Sequence, residues 1–437
     1  MFHSDGHGAP LKVQPAASDP PINIHLSWSS DPETMMTVMW QTSASTATTV
    51  VKYSIDLSYS QTATGTESKP SWASGYIHEV TVTGLSPGTN YNYMAGDETS
   101  GWSVSHTFST APSNQPSFMY AETGDIRNPT PLSHDFSGWD NVSSALLPTD
   151  PEFVMMNGDN VYDSFDQAEW DAMFPITERV AADRTFMDVP GNHDYGATQI
   201  SPNFRGQFSL PGNWNYYSFN YSAVHFIVLD NGNSAVMGIG PGTPQYDWLV
   251  ADLQAADADT AHPWKIVQFH KPPFCSIDSD SETRSAWAPL FYQYHVDLVF
   301  DGHKHLYERT YPVDGSGNVM DSNVSTYEWA APLGTIYITD GCGGAPLYTP
   351  GVAQPWSILQ DATLGFTLVT YHANNNSLEI VHYNSAMSVV DSFWIVKQTG
   401  EPIPEFSLVP VIPMIAVVFA LVRRGAILRN SSPREDK

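Results

Sequence analysis

Five short apolar runs, each ending in a loop rich in carboxylate, amide or imidazole side chains, constrain this chain more than any other feature. They read FMYAETGD ending at Asp125, FVMMNGDNVY from Phe153, TFMDVPGNHD from Thr185, WKIVQFHKPP from Trp264 and VDLVFDGHKH from Val296. Runs so short and so apolar read as buried strands rather than helices. Between them lie DQAEWDAMF, QYDWLVADLQAA and RSAWAPLFYQYH, whose apolar residues recur every three to four positions, the spacing of a helix with one buried face. Strands interleaved with helices give an α/β domain, in which loops at strand ends commonly gather into one site. Asp125, Asp159, Asn192, His270, His303 and His305 all occupy such loop positions.

The last run poses the sharpest question, because His303 and His305 stand one residue apart just after a glycine. Two adjacent, partly buried imidazolium ions repel, so either the rings are exposed loop residues or a metal takes both in their neutral form. Two metals close together need seven or eight protein ligands, with one carboxylate shared between them and positions open to water and substrate. Oxygen donors from Asp and Asn combined with histidine nitrogens suit iron, zinc or manganese. Glycine precedes Asp125, Asp159, Asn192 and His303, which lets the backbone turn sharply and bring the ligand close. On this reading His303 and His305 face different metals, with Lys304 turned away.

Upstream of these runs the pattern is different. From Ile22 to about Ser113 the chain alternates INIHLSW, TMMTVMWQT, TTVVKYS, HEVTVTGLSPGTNYNYMA and SVSHTFST with Gly, Pro and Ser turns, the signature of an all-β sandwich. No cluster of ligand-type residues stands out within it, so its expected role is structural or docking. The chain divides on this basis into a disordered segment 1–20, a β-sandwich 21–113, an α/β domain 114–397 and a terminal stretch 398–437.

The motifs Gly158-Asp159-Asn160-Val161-Tyr162, Gly191-Asn192-His193-Asp194, Val267-Gln268-Phe269-His270 and Gly302-His303-Lys304-His305 occur in the order of the metallophosphoesterase superfamily. The chain most resembles its purple acid phosphatase branch, to which an N-terminal fibronectin III-like sandwich, Tyr162 in the second motif and YERTYPV after the last histidine also correspond. The resemblance implies two packed β-sheets flanked by helices and an acid phosphatase that hydrolyses phosphomonoesters by attack of a metal-activated hydroxide. It implies that Asp125, Asp159, Tyr162 and His305 hold Fe(III). Asp159 would bridge to a divalent ion (Zn, Fe or Mn) held by Asn192, His270 and His303. A phenolate from Tyr162 suits a trivalent ion, because the tyrosine proton leaves only near pH 10 unless a strong cation displaces it. His193 would stabilise the phosphoryl charge, protonate the leaving alcohol, or only orient other groups. Asp194 fits a turn or supporting role. A phosphodiesterase or nucleotide hydrolase on the same scaffold, and a surface binding protein with an inactive domain, are the competing readings.

Two departures bear on substrate. Asp125-Ile126-Arg127 places arginine where the family has glycine, so Arg127 either displaces the loop or reaches a phosphate. After His270 the chain reads KPPFCSIDSDSE where plant-type enzymes carry further histidines, leaving Lys271 either as a phosphate contact or as a partner of nearby backbone or acids. Cys275 and Cys342 are the only cysteines and either bridge or remain free.

The formal charge of −28, from 18 basic and 46 acidic residues, repels a nucleic-acid backbone and excludes nucleic acid as a partner. Small phosphorylated compounds are the expected substrates; oligomeric state has no sequence signal. Residues 406–422, FSLVPVIPMIAVVFALV, reach the ~17-residue lower limit of a bilayer span and are followed by Arg423 and Arg424. The positive-inside tendency then puts the tail in the cytoplasm and the acidic body outside, anchored at the cell surface. EPIPEFSLVP with the basic end also resembles Pro-Glu-Phe sorting tails of prokaryotic surface proteins. The opening MFHSDGHGAPLKVQPAASDPP shows no apolar signal core.

Overall fold

A computed structural model describes residues 19–329 and 333–398. The expected disordered segment, apart from its last residues, and the hydrophobic span 406–422 lie outside the described residues. No helix among the described residues is long and apolar enough to cross a membrane.

The α/β part is a sandwich of two sheets. One carries the parallel strands Phe118–Thr123, Phe153–Met156 and Thr185–Asp188, extended on one side by Gly365–His372, Ser377–Asn384, Val389–Lys397 and Thr326–Trp329. The other has seven strands, with Val224–Val228, Trp264–Gln268, Leu298–Asp301 and Ile336–Asp340 running parallel through its centre. Alternation of side chains explains why these central strands are apolar on both faces. Phe226, Ile266, Leu298, Phe300, Ile336 and Ile338 face the first sheet. Ile227, Val267, Phe269, Val299 and Tyr337 face the opposite way, into a second core closed by the helices Pro244–Ala258 and Ser281–Gln293. Between the sheets, Tyr120, Phe153, Phe219 and Phe226 stack at centroid separations of 5.0 to 6.3 Å. Such aromatic pairs add roughly 0.5–1.5 kcal/mol each beyond the area they bury.

The helices form where the periodicity predicts them, with longer reach than the apolar spacing alone suggests. Gln167–Ala181 starts at Asp166, whose carboxylate accepts the Ala168 N–H, and continues through Pro175. Ser281–Gln293 starts at Asp280, which accepts the Thr283 N–H at 2.7 Å. Capping carboxylates at these positions satisfy amides that lack a partner within the helix.

The N-terminal β-rich part does not form a closed module. Its strands Ile22–Ser27, Met35–Thr42, Tyr76–Thr83 and Thr66–Ser68 continue the first catalytic sheet into one of eleven strands, through a parallel pairing of Leu26 with Thr185. A separate five-stranded sheet, centred on Val50–Ser54 and Asn90–Asp97, contributes Val51, Tyr53, Tyr91 and Tyr93 to the same apolar core. Trp28, fully buried, packs on Phe153 at 5.3 Å and Phe219 at 5.6 Å. The β-rich part thereby buttresses the strands whose ends carry Asp159 and Asn192.

Candidate metal centre

The strand-end loops converge. Asp125 follows Phe118–Thr123, Asp159 follows Phe153–Met156, Asn192 follows Thr185–Asp188, His270 follows Trp264–Gln268, and His303 and His305 follow Leu298–Asp301. His270 Nε2 lies 3.3 Å from Asp159 Oδ2 and 3.1 Å from Asn192 Oδ1. His305 Nε2 lies 3.4 Å from Asp125 Oδ1. Ligand atoms of Asp159, His270 and His303 fall within 4.8 Å of one another.

Hydrogen bonds fix which nitrogen each ring presents. His270 Nδ1–H donates to the Asn157 carbonyl at 2.7 Å and His305 Nδ1–H to the Pro346 carbonyl at 2.8 Å, so in the neutral rings both Nε2 lone pairs face the cluster. This is how metal-ligating histidines are generally oriented. Asp125 Oδ1 is buried and receives no hydrogen bond, although a nitrogen lone pair stands 3.4 Å away. Two electron-rich atoms held close without a proton between them suit a cation. Metal–ligand bonds of ~2.1 Å place neighbouring ligands ~3.0–3.4 Å apart, which the observed separations match.

The electrostatics agree with this fit. Burial disfavours charge on His270, but the Asp159 carboxylate outweighs it and pushes the ring's pKa up to about 9. Burial and the neighbouring His270 push His303 down to about 2. The two rings stand 5.1 Å apart, and the pocket does not accept a proton on both. Asp159 is held below the usual carboxylate range: burial opposes its charge, while His270 and His193 more than compensate.

The backbone is bent to bring the carboxylates in. Asp125, Asp159 and His303 adopt left-handed φ values of 54°, 54° and 65°. Side-chain-bearing residues rarely accept this conformation, at a cost of roughly 1 kcal/mol or more each. Glycines make room for them: a Cβ added at Gly191 would lie 2.1 Å from Asp159 Oδ1, and one at Gly302 2.6 Å from Asp125 Oδ2. Gly191→Ala is therefore expected to push Asp159 aside, lowering metal content and hydrolysis by at least about tenfold while the fold persists. Metal analysis with circular dichroism on the purified variant checks this; full metal loading would contradict it.

Other sequence candidates line the surroundings. His193 donates its backbone N–H to Asp159 Oδ1 at 2.8 Å, and its Nδ1 hydrogen-bonds the Tyr162 carbonyl. Its Nε2 stands 3.9 Å from Asp159 Oδ2, and the side chain is 22% exposed, at the mouth of the cluster. The Tyr162 ring packs 4.7 Å from the His193 ring, and the Arg127 guanidinium covers its face at 4.8 Å. Arg127 is buried and also donates to the Asn128 carbonyl. Lys271 touches Asn231 through its backbone N–H and carbonyl, and its ammonium forms no hydrogen bond among the described residues. Asp194 Oδ2 accepts the Gly191 N–H at 2.8 Å, closing the Asn192 turn. Lys304 turns to Asp278 at 3.1 Å. Both cysteines are free and buried: Cys275 donates to Glu308 and Cys342 to Asp340. Tyr348, which sequence reasoning passed over, stacks on His305 at 4.4 Å and is half exposed beside the cluster.

Comparison with known proteins agrees with this architecture. The family model described as "Purple acid Phosphatase, N-terminal domain" matches residues 21–110, and that described as "Calcineurin-like phosphoesterase" matches residues 123–307. Acid phosphatase type 7 of Mus musculus is 29% identical over 411 residues, covering 86% of this chain and 91% of the relative. Acid phosphatase type 7 of Danio rerio is 28% identical over 423 residues, covering 87% and 92%. The solved purple acid phosphatase PPD1 of yellow lupin (Lupinus luteus) superposes with a TM-score of 0.75 at 21% identity, covering 89% of this chain and 78% of that one, a likeness of fold. The two models match in order along one chain, the domain order of the purple acid phosphatase branch of the metallophosphoesterases, to which this chain is similar over most of its length.

Proposed function

We propose that this protein is an acid phosphatase that hydrolyses small phosphomonoesters at a binuclear metal centre. The observation that carries this reading is the convergence of Asp125, Asp159, Asn192, His270, His303 and His305 from five strand ends. Both His270 and His305 turn Nε2 inward, and Asp125 Oδ1 has no hydrogen-bond partner. Asp125 and His305 would hold one ion and Asn192, His270 and His303 the other, with Asp159 shared. When bound, the metals supply an activated water as nucleophile and positive charge for the phosphoryl oxygens.

The remaining work falls to the chain. Water's oxygen forms the new P–O bond while the bond to the alcohol oxygen breaks, and that oxygen needs a proton. His193 sits at the mouth with Nδ1 anchored on the Tyr162 carbonyl, so its imidazolium form presents Nε2–H on the side of Asp159, where a bound phosphoester would lie. Donation of that proton makes His193 the general acid. The backbone N–H of His193 meanwhile holds Asp159 in its left-handed turn. Arg127, stacked on Tyr162, contributes a fixed positive charge to the rim of a protein otherwise strongly negative. Lys271 is a second source of such charge, close enough to act on His303.

Fe(III) beside a divalent ion of zinc, iron or manganese is the metal pair best suited to a set that includes Tyr162, whose phenolate would colour the protein. Tyr162→Phe is expected to abolish any visible band and to leave measurable hydrolysis; an unchanged spectrum would remove Tyr162 from the ligands. The activity itself is tested by comparing hydrolysis of an aryl phosphomonoester with that of the matching diester. Faster monoester hydrolysis supports the assignment, whereas diester preference would make the protein a phosphodiesterase on the same scaffold. The apolar run 406–422 with Arg423 and Arg424 supports tethering of the enzyme at the cell surface.

A further inference from the structure

Behind the candidate centre, a second group of ligand-type side chains is buried between the two sheets. Glu122, Thr367, His382 and Asp391 face one another across four adjacent strands in register. Directly opposed residues share one face of a sheet, so these four form a polar row where the rest of the interface is apolar. Asp391 is accounted for by Arg309, which bonds it at 2.5 and 2.9 Å. The other members gather around the end of the facing strand Ile336–Asp340.

There, Asp340 Oδ1 accepts the Cys342 thiol at 3.1 Å and Oδ2 accepts the Thr367 hydroxyl at 2.6 Å. With the hydroxyl proton spent on Asp340, Thr367 Oγ1 accepts His382 Nδ1–H at 3.0 Å. That leaves the His382 Nε2 lone pair facing Cys342 Sγ at 3.7 Å, the orientation a metal-ligating imidazole takes. One ligand atom from each of Asp340, Cys342 and His382 lies within 4.8 Å of the others, and all three residues are fully buried. Zn–S and Zn–N bonds of ~2.3 and ~2.0 Å at tetrahedral angles put sulfur and nitrogen ~3.5 Å apart, near the observed separation.

Glu122 supplies the second observation. It is fully buried, neither carboxylate oxygen has a hydrogen-bond partner, and it is the register neighbour of Thr367. A carboxyl group, a thiol and an imidazole enclosed together, with the neighbouring Arg309 committed to Asp391 and an unpartnered carboxyl on the next strand, form a donor set suited to a divalent cation.

We propose that Asp340, Cys342 and His382, with the unpartnered Glu122 carboxyl on the adjoining strand, form a mononuclear site for a zinc-class divalent ion, separate from the candidate catalytic centre. Full burial leaves it no position open to substrate, so its role is structural. Its place in the fold gives that role content. Gly341, between two of the ligands, runs so close to Asp125 that an added Cβ would lie 2.8 Å from Asp125 Oδ2. An ion gripping Asp340 and Cys342 therefore fixes the wall behind a candidate catalytic ligand.

The test uses the full chain produced in cobalt-supplemented medium, because cobalt bound by a thiolate gives a strong near-ultraviolet charge-transfer band. The proposed catalytic set contains no sulfur, so such a band reports a cysteine alone. The expected result is a band in the wild type that persists in Cys275→Ser. In Cys342→Ser it disappears, together with one metal ion per chain. Should Cys342→Ser fail to fold, the wild type still decides: metal-loaded, active protein without a thiolate band overturns the proposal. A band that vanishes in Cys275→Ser and survives in Cys342→Ser overturns it equally.

Discussion

Asp159→Ala is expected to lose essentially all hydrolysis, at least about a thousandfold, together with most of its bound metal. Losing a group that merely orients a metal ligand already costs ~10–100-fold, and Asp159 is proposed to serve both ions. Its two oxygens have separate tasks: Oδ1 accepts the His193 N–H at 2.8 Å and Oδ2 faces His270 Nε2 at 3.3 Å. Truncation leaves His270 buried without the carboxylate that most sustains its charge, so the ring's pKa falls below about 9, opposed only by Asp125 and the Asn157 carbonyl. The fold should survive, because Asp159 lies in a loop and contributes nothing to the hydrophobic core. Metal content, circular dichroism and turnover on one preparation separate these effects. An Asp159→Ala protein that retains metal and activity would remove Asp159 from the centre.

The second large effect is expected at His193. His193→Gln should lower kcat by ~10²–10⁴ while metal content stays at the wild-type level, since the imidazole donates a proton rather than holding an ion. The loss should be largest for alkyl phosphates, whose poor leaving groups need protonation, and small for activated aryl phosphates. A uniform loss across leaving groups would instead assign His193 a positioning role through its contacts with Asp159 and the Tyr162 carbonyl.

Much of the candidate site is legible in the sequence because its proposed ligands sit immediately after buried strands, where an apolar run stops at a glycine and a polar residue. That pattern marks Asp125, Asp159, Asn192 and His303 without any knowledge of the fold. The backbone atoms that orient the rings are not legible: the carbonyls of Asn157 and Pro346 carry no residue-type signal, and Pro346 lies 41 residues beyond the histidine it holds. The same limit applies to the continuous eleven-stranded sheet. Alternation predicts the strands of the N-terminal half, but the parallel pairing of Leu26 with Thr185 depends on long-range register that neither segment encodes alone. The cluster of Asp340, Cys342 and His382 escapes for a related reason. His382 reads as an ordinary strand residue until Gly365–His372 places it opposite Thr367.

Helix limits show a different physics. Both helices run through an internal proline, Pro175 and Pro289, with Trp170, Phe174, Trp287 and Phe291 buried on either side. Packing of those large side chains outweighs the local cost of a missing N–H, which is roughly 3 kcal/mol in an exposed helix.

Phosphomonoester hydrolysis and metal content, followed together on the full chain as purified, after chelation and after metal is restored, decide whether bound metal drives the reaction. Activity and metal are expected to be lost in parallel and to return in parallel, with the monoester hydrolysed faster than the diester throughout. Stripped protein that hydrolyses the monoester at an unchanged rate would contradict this expectation.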